Sequence, residues 1–284
     1  MSSRPILVGY DGSDDGNAAL DWAIAEAKVT GRPVIALFVA PDLVAMEATT
    51  AGMATMTIPP DLLEPDGAYV LAEAARRAEG TGVDLTTDTA VGAPARVLVE
   101  RSAEVGLVVL GSRGHSAAAS LVLGSSVIHV TAHAKCPVVI AQAAGERVGP
   151  VVVGVDGSAA GERALAWAFD HAAAHEASIE VVHTTRTEVH GTLPVDSGDP
   201  AMAAIVTSVD AQRERHPDVE AAVRVVHGRP APALIESSGY ARVVVVGTRG
   251  RGAFLGMLLG STGQALLHHA TGTVVVVPAY EGES

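Results

Sequence analysis

Cysteine is all but missing from this sequence. Cys136 stands alone, which excludes an internal disulfide and a cysteine-built zinc centre and points to a reducing compartment. Aromatic residues make up only 3% of the chain, and 19 basic residues face 32 acidic ones, for a formal net charge of −13. A surface of that sign repels a phosphate backbone or an anionic membrane, so neither nucleic acid nor lipid is an expected partner. No apolar run approaches the ~20 residues that a spanning helix requires. The N-terminal residues pass straight from Met1 to Pro5 into the apolar Ile6–Val8, without a secretory apolar region. A cytoplasmic protein is expected.

The 284 residues are 48% hydrophobic, enough for two cores of about 140 residues each. The chain repeats itself to match. Ile6-Leu-Val-Gly-Tyr-Asp-Gly-Ser13 returns as Val151-Val-Val-Gly-Val-Asp-Gly-Ser158, a shift of 145 positions from Asp11 to Asp156. Farther along, Gly92-Ala-Pro94 returns as Gly228-Arg-Pro230, and Gly111-Ser-Arg-Gly114 as Gly247-Thr-Arg-Gly250, both shifted by 136. The second copy is therefore shorter by nine residues, lost after the second strand, in a loop where length changes are tolerated. The expected division is residues 1–143 and 150–284, joined by a linker at 144–149.

Each half alternates strands with helical segments, the pattern of a doubly wound α/β domain around a parallel sheet. Strands are expected near 6–10, 34–40, 84–91, 106–111 and 137–141, and again near 151–155, 179–184, 221–227, 242–247 and 273–278. Near-continuous valine runs suit strands covered on both faces. Helices are expected after Ser13 and Ser158, which sit where an N-cap belongs, and over 66–80, 93–104 and 125–134; Gly31 fits a helix C-terminus.

Ligands of open parallel sheets bind beyond the carboxyl ends of the strands, where strand order reverses. Asp11 and Asp156 end the first strands, and beyond each fourth strand lies the same spacing, Gly111-x2-Gly114-x9-Gly124-Ser125 and Gly247-x2-Gly250-x9-Gly260-Ser261. The last Gly-Ser pair opens a helix, whose free N–H groups and positive dipole end form an anion site, with the hydroxyls of Ser125, Ser126, Ser261 and Thr262 added. Phosphate is the natural guest.

Two copies of that glycine spacing, each tied to an Asp-ended strand, resemble the ATP-binding members of the universal stress protein family over nearly the whole chain. The resemblance implies a five-stranded sheet ordered 3-2-1-4-5 in each half, with the halves paired through their last strands. It implies adenine nucleotide, ATP with Mg²⁺, as the ligand. Asp11 and Asp156 would stand beside the adenosine, with Gly9, Tyr10, Gly154 and Val155 around them. Val39 and Thr184 would meet the adenine, and Leu110, Gly111, Gly114, Gly124, Ser125 and Ser126 would form one ribose and phosphate loop. Val246, Gly247, Gly250, Gly260, Ser261 and Thr262 would form the other. Tyr10, bulkier than its counterpart Val155, is expected to narrow or stack on the first pocket.

Plainer readings stand beside these. Strand-to-helix turns need glycine whether or not a ligand binds, and Asp11 and Asp156 suit turn capping. Asp11-Gly-Ser-Asp-Asp-Gly16 is no calcium loop, because Trp22 occupies its twelfth position. His129 and His133, like His171 and His175, share helix faces, yet the sequence offers neither pair a third metal ligand, and satisfied histidines are expected. Cys136 reads as a small buried apolar residue. The nearly uncharged segment Pro41 to Pro65, with Met46, Met53 and Met56, suits a lid, a partner surface or a loop packed on its own domain. Functionally, a nucleotide-binding regulator offering a surface to a protein partner is expected, as a monomer or a homodimer. A slow Mg²⁺-dependent ATPase and a ligand-free scaffold are the alternatives. No Walker loop is present, and no lysine lies near either glycine motif.

Overall fold

The computed structural model describes residues 4–40, 67–112, 124–142, 148–185, 200–250 and 259–279. In the first half these form β1 (Ile6–Gly9), α1 (Asp14–Thr30), β2 (Val34–Ala40), α2 (Gly67–Ala78), β3 (Leu85–Val91), α3 (Pro94–Arg101), β4 (Leu107–Gly111), α4 (Ser125–His133) and β5 (Val138–Ala141). The second half repeats the series as β6 (Val151–Gly154), α5 (Ala159–Ala174), β7 (Ile179–Thr185), α6 (Pro200–Arg215), β8 (Ala221–His227), α7 (Pro230–Ser237), β9 (Val243–Gly247), α8 (Ser261–His269) and β10 (Val274–Val277). The segment Pro41 to Pro65 lies outside the described residues.

Local chemistry sets the helix ends. Ser13 caps α1 by accepting from Gly16 N at 3.0 Å, and Ser158 caps α5 by accepting from Gly161 N at 3.2 Å. Gly31 closes α1 in the left-handed region. Pro94 and Pro230 open α3 and α7 at the first helical position, where a missing N–H costs nothing.

Within each half every strand pair is parallel, and all ten strands join in one sheet ordered β3-β2-β1-β4-β5-β10-β9-β6-β7-β8. The two halves meet in a single antiparallel pair, with Val274 opposite Ile140, Val275 opposite Val139 and Val276 opposite Val138. Each half thus has the expected order 3-2-1-4-5, and the halves pair through their last strands.

The interior departs from the expectation of one core per repeat. Alternate strand residues point to opposite faces, so Ile6, Val8, Val151 and Val153 join one cluster with residues of α1, α2, α5 and α6. Leu7, Val108, Val152 and Val244 join the other with residues of α3, α4, α7 and α8. Each cluster draws on both halves. The sheet divides the apolar interior, and the repeat does not, because the β5–β10 pair makes both faces continuous across the seam.

The seam also corrects the reading of His171 and His175. Glu26, on α1 of the first half, reaches both, with its Oε2 at 3.5 Å from His171 Nδ1 and 2.8 Å from His175 Nε2. His129 and His133 stack at 4.2 Å on α4, with His133 Nδ1 at 2.8 Å from the carbonyl of His129, as satisfied histidines do.

Candidate functional site

Strand order reverses between β6 and β9, and beyond their carboxyl ends opens a cleft of about 490 Å³. Three strands supply its floor. Gly154, Val155 and Asp156 leave β6, Thr184 comes from the end of β7, and Val246 and Gly247 from β9. Gly250 closes one side, while Gly260, Ser261 and Thr262 bring the first turn of α8 to the rim. All ten residues expected of the second site therefore line one cleft. Its walls also include Val182, Pro230, Leu234 and Arg249. Sequence reasoning missed the first three, although the recurrence of Gly228-Arg-Pro230 already marked the start of α7 as a fixed feature of the repeat.

The turn after β6 is built by its aspartate. Asp156 Oδ1 accepts from Ser158 N at 3.0 Å, and Gly157 takes a φ of 74° in the left-handed region that favours glycine. The capping role is thus real. Asp156 Oδ2 meanwhile faces Gly250 so closely that a Cβ there would stand 2.4 Å from it. In the first half Asp11 Oδ1 accepts from Ser13 N at 3.0 Å and from Ser13 Oγ at 2.6 Å.

The glycines separate into two kinds. A Cβ on Gly247 would lie 2.8 Å from the backbone carbonyl of Ala160, and one on Gly111 would lie 2.5 Å from that of Asp15. These two glycines let the first helix of each half approach the fourth strand, a packing need independent of any ligand. Gly260 and Gly124 meet no such need. Each has an ordinary extended backbone, φ −68° and ψ 156° for Gly260 and φ −61° and ψ 134° for Gly124. Among the described residues, an added Cβ would find nothing nearer than 3.5 Å at Gly260 and 3.9 Å at Gly124. Both are N-caps without a side-chain hydrogen bond to the helix, so the first-turn N–H groups of α8 and α4 have no intrahelical side-chain acceptor. Among the described residues, a glycine-capped helix start and its flanking hydroxyls together suit a phosphate.

In the first half Gly9 ends β1, Val39 lies near the end of β2, Leu110 and Gly111 end β4, and Ser125 and Ser126 open α4 after Gly124. They occupy places equivalent to their second-half counterparts. Gly114 lies outside the described residues. Tyr10 is 2% exposed within the core, and its hydroxyl donates to Asn17 Oδ1 at 2.7 Å on α1. Burial there raises the tyrosine pKa above its ordinary value.

Titratable side chains are few around the second cleft. Among the described residues lining it there is no lysine and no histidine, and Arg249 is its one basic side chain. Cys136 is buried in the first half, and burial pushes its thiol up to about 12. No helix among the described residues is long and apolar enough to cross a membrane.

Residues 2–142 and 148–278 each match the universal stress protein family. A universal stress protein of Mycolicibacterium smegmatis is 32% identical over 286 residues, covering 96% of this chain and 96% of its own length. One of Mycobacterium tuberculosis H37Rv is 33% identical over 288 residues, covering 95% and 96%. The crystal structure of a universal stress protein from Archaeoglobus fulgidus shares the fold with a TM-score of 0.73 at 22% identity, across 99% of this chain and 98% of that one. With the repeated α/β fold and two family matches spanning both halves, this chain belongs to the universal stress protein family.

Proposed function

We propose that the protein is a cytoplasmic ATP-binding regulator with one adenine-nucleotide site in each half, and that occupancy changes a surface offered to a protein partner. The carrying observation is the second-half cleft. Its volume of about 490 Å³ falls in the range of about 300–1,000 Å³ usual for small-ligand pockets. It joins an apolar wall, formed by Val182, Val246 and Leu234, to the uncapped N-terminus of α8. An adenine suits the first, and a phosphate chain suits the second. Asp156 and the hydroxyls of Ser261 and Thr262 are hard oxygen donors of the kind that accompany Mg²⁺ on nucleotide phosphates. Residues 1–143 and 150–284 would be the two binding units, with 144–149 joining them.

Regulation rather than turnover is supported by the lining. Phosphoryl transfer to water needs a group that positions the nucleophile and donors aimed at the developing charge. Arg249 can offset phosphate charge, but none of the described lining residues is a free general base beside it. Binding at this cleft would shift the population of surfaces presented to a partner.

Equilibrium dialysis of ligand-stripped protein against ATP with Mg²⁺, followed by an assay for ADP, tests this reading. Two nucleotides per chain without ADP are expected. Steady ADP production would replace the regulatory reading with an ATPase, and no binding up to millimolar ATP would end the nucleotide reading altogether.

A further inference from the structure

Helices α1 and α5 are the same element in the two halves, and their side chains meet at the seam. The 145-residue shift places Trp22 on Trp167 and Glu26 on His171, and all four gather at one point. The His171 ring stacks on Trp167 at 4.8 Å between centroids and on Trp22 at 6.3 Å. One helical turn on, His175 Nε2 lies 2.8 Å from the carboxylate oxygen of Glu26 that His171 also faces. The side chains of His171, Glu26 and His175 are 2%, 3% and 8% exposed. One ligand atom from each lies within 4.8 Å of the other two.

Among the described residues His171 Nδ1 is buried without a hydrogen-bond partner, a condition that costs free energy in a protein interior. Neutral imidazole and ionised carboxylate are the forms that ligate metals.

We infer that Glu26, His171 and His175 form a site for a divalent transition metal of the Zn²⁺ type, tying the first half of the chain to the second. Zn²⁺ takes imidazole nitrogen at about 2.0–2.1 Å and carboxylate oxygen at about 2.0–2.2 Å, so tetrahedral ligand atoms stand roughly 3.3 Å apart. The separations found, from 2.8 Å to at most 4.8 Å, bracket that value. Two histidines four apart on a helix are the spacing by which helical zinc sites grip the ion from one face. Two nitrogens and one oxygen suit Zn²⁺ rather than Mg²⁺ or Ca²⁺. A water completes the set. On binding, any proton on His175 Nε2 is released to solvent, and its hydrogen bond to Glu26 is exchanged for two metal bonds. The stacked indoles hold the His171 plane, the part that outer partners play in metal sites. Arg242 and Arg32 bring positive charge near His171 and Glu26, so the Glu26 carboxylate is the group that makes a cation acceptable.

Zinc titration of the EDTA-treated full-length protein, with bound metal counted after gel filtration, tests the site. Wild type is expected to retain one Zn²⁺ per chain with a raised Tm. His175→Ala and Glu26→Gln should each weaken binding at least tenfold and abolish the Tm rise, while a His129→Ala, His133→Ala double variant keeps both. Because Glu26→Gln alters a buried charge and can impair folding, His175→Ala, at the helix end, carries the comparison. Co²⁺ bound to the wild type supplies a readout that needs no variant, the intense visible absorption of a low-coordinate ion. Wild type holding no more zinc than His175→Ala, or Co²⁺ giving only the weak spectrum of six-coordinate binding, overturns the inference.

Discussion

A methyl group added at Gly247 would press on the backbone of Ala160, whereas one added at Gly260 would meet only ordinary contacts among the described residues beside the α8 N-terminus. The two glycines of one motif should therefore fail in different ways. Gly247→Ala is expected to lower stability by about 1–3 kcal/mol, as overpacking does, read as a fall in the urea midpoint. Gly260→Ala should cost less than about 1 kcal/mol, the difference between glycine and alanine at an N-cap. It should nonetheless weaken ATP binding in the second half about tenfold, a loss of about 1.4 kcal/mol, measured by dialysis. Full affinity in Gly260→Ala would remove the phosphates from that place. The motif could be read in the sequence, but this division of labour could not, because spacing does not say which glycine faces a helix and which faces a cavity. The direction of Tyr10 was illegible for a related reason. A residue at a strand's end can turn either way, and Asn17 decides it through a hydrogen bond that composition does not announce.

Strands were legible almost to the residue. Valine runs bounded by Gly, Pro or Asp leave little freedom in where a buried parallel strand begins and ends, and β4 and β9 fall at Leu107–Gly111 and Val243–Gly247 against expectations of 106–111 and 242–247. Cap chemistry was equally plain, since a serine ahead of an acidic first turn names its own role. Each cap carries a measurable load. Ser158→Ala should cost about 1 kcal/mol through the loss of the bond from Gly161 N. Ser13→Ala should cost more, because the Ser13 hydroxyl also donates to Asp11 at 2.6 Å and so holds the turn before α1 as well. Thermal melts of the two variants, compared with wild type, check the order; equal losses would mean that the Asp11 bond adds nothing. The contact of α1 with α5 was hidden. A glutamate in an amphipathic helix reads as a solvated residue until its histidine partners, 145 and 149 positions away, are brought to it.

At the scale of the molecule, the two apolar clusters each span both halves, so neither half can lose its packing alone. Unfolding in urea should follow one transition. Trp22 and Trp167 flank the seam around His171, so fluorescence reports the joint between the halves, while far-UV ellipticity reports all the helices and strands. The two curves are expected to coincide. Fluorescence changing at lower urea than ellipticity would mean that the halves part before they unfold. The sequence shows the duplication but not this fusion of cores, because alternation along a strand tells which residues share a face and not whose neighbours they meet across the last strand.

The antiparallel joint between β5 and β10 has a directional consequence. Strands of the first half run against those of the second, so the carboxyl-end openings of the two halves look out from opposite borders of the sheet. No single small molecule can bridge them, and a protein docked over one mouth leaves the other uncovered. Duplication has produced a chain whose two sets of strand ends face away from each other on one shared foundation, so changes in the loops at one border leave the other border its original shape.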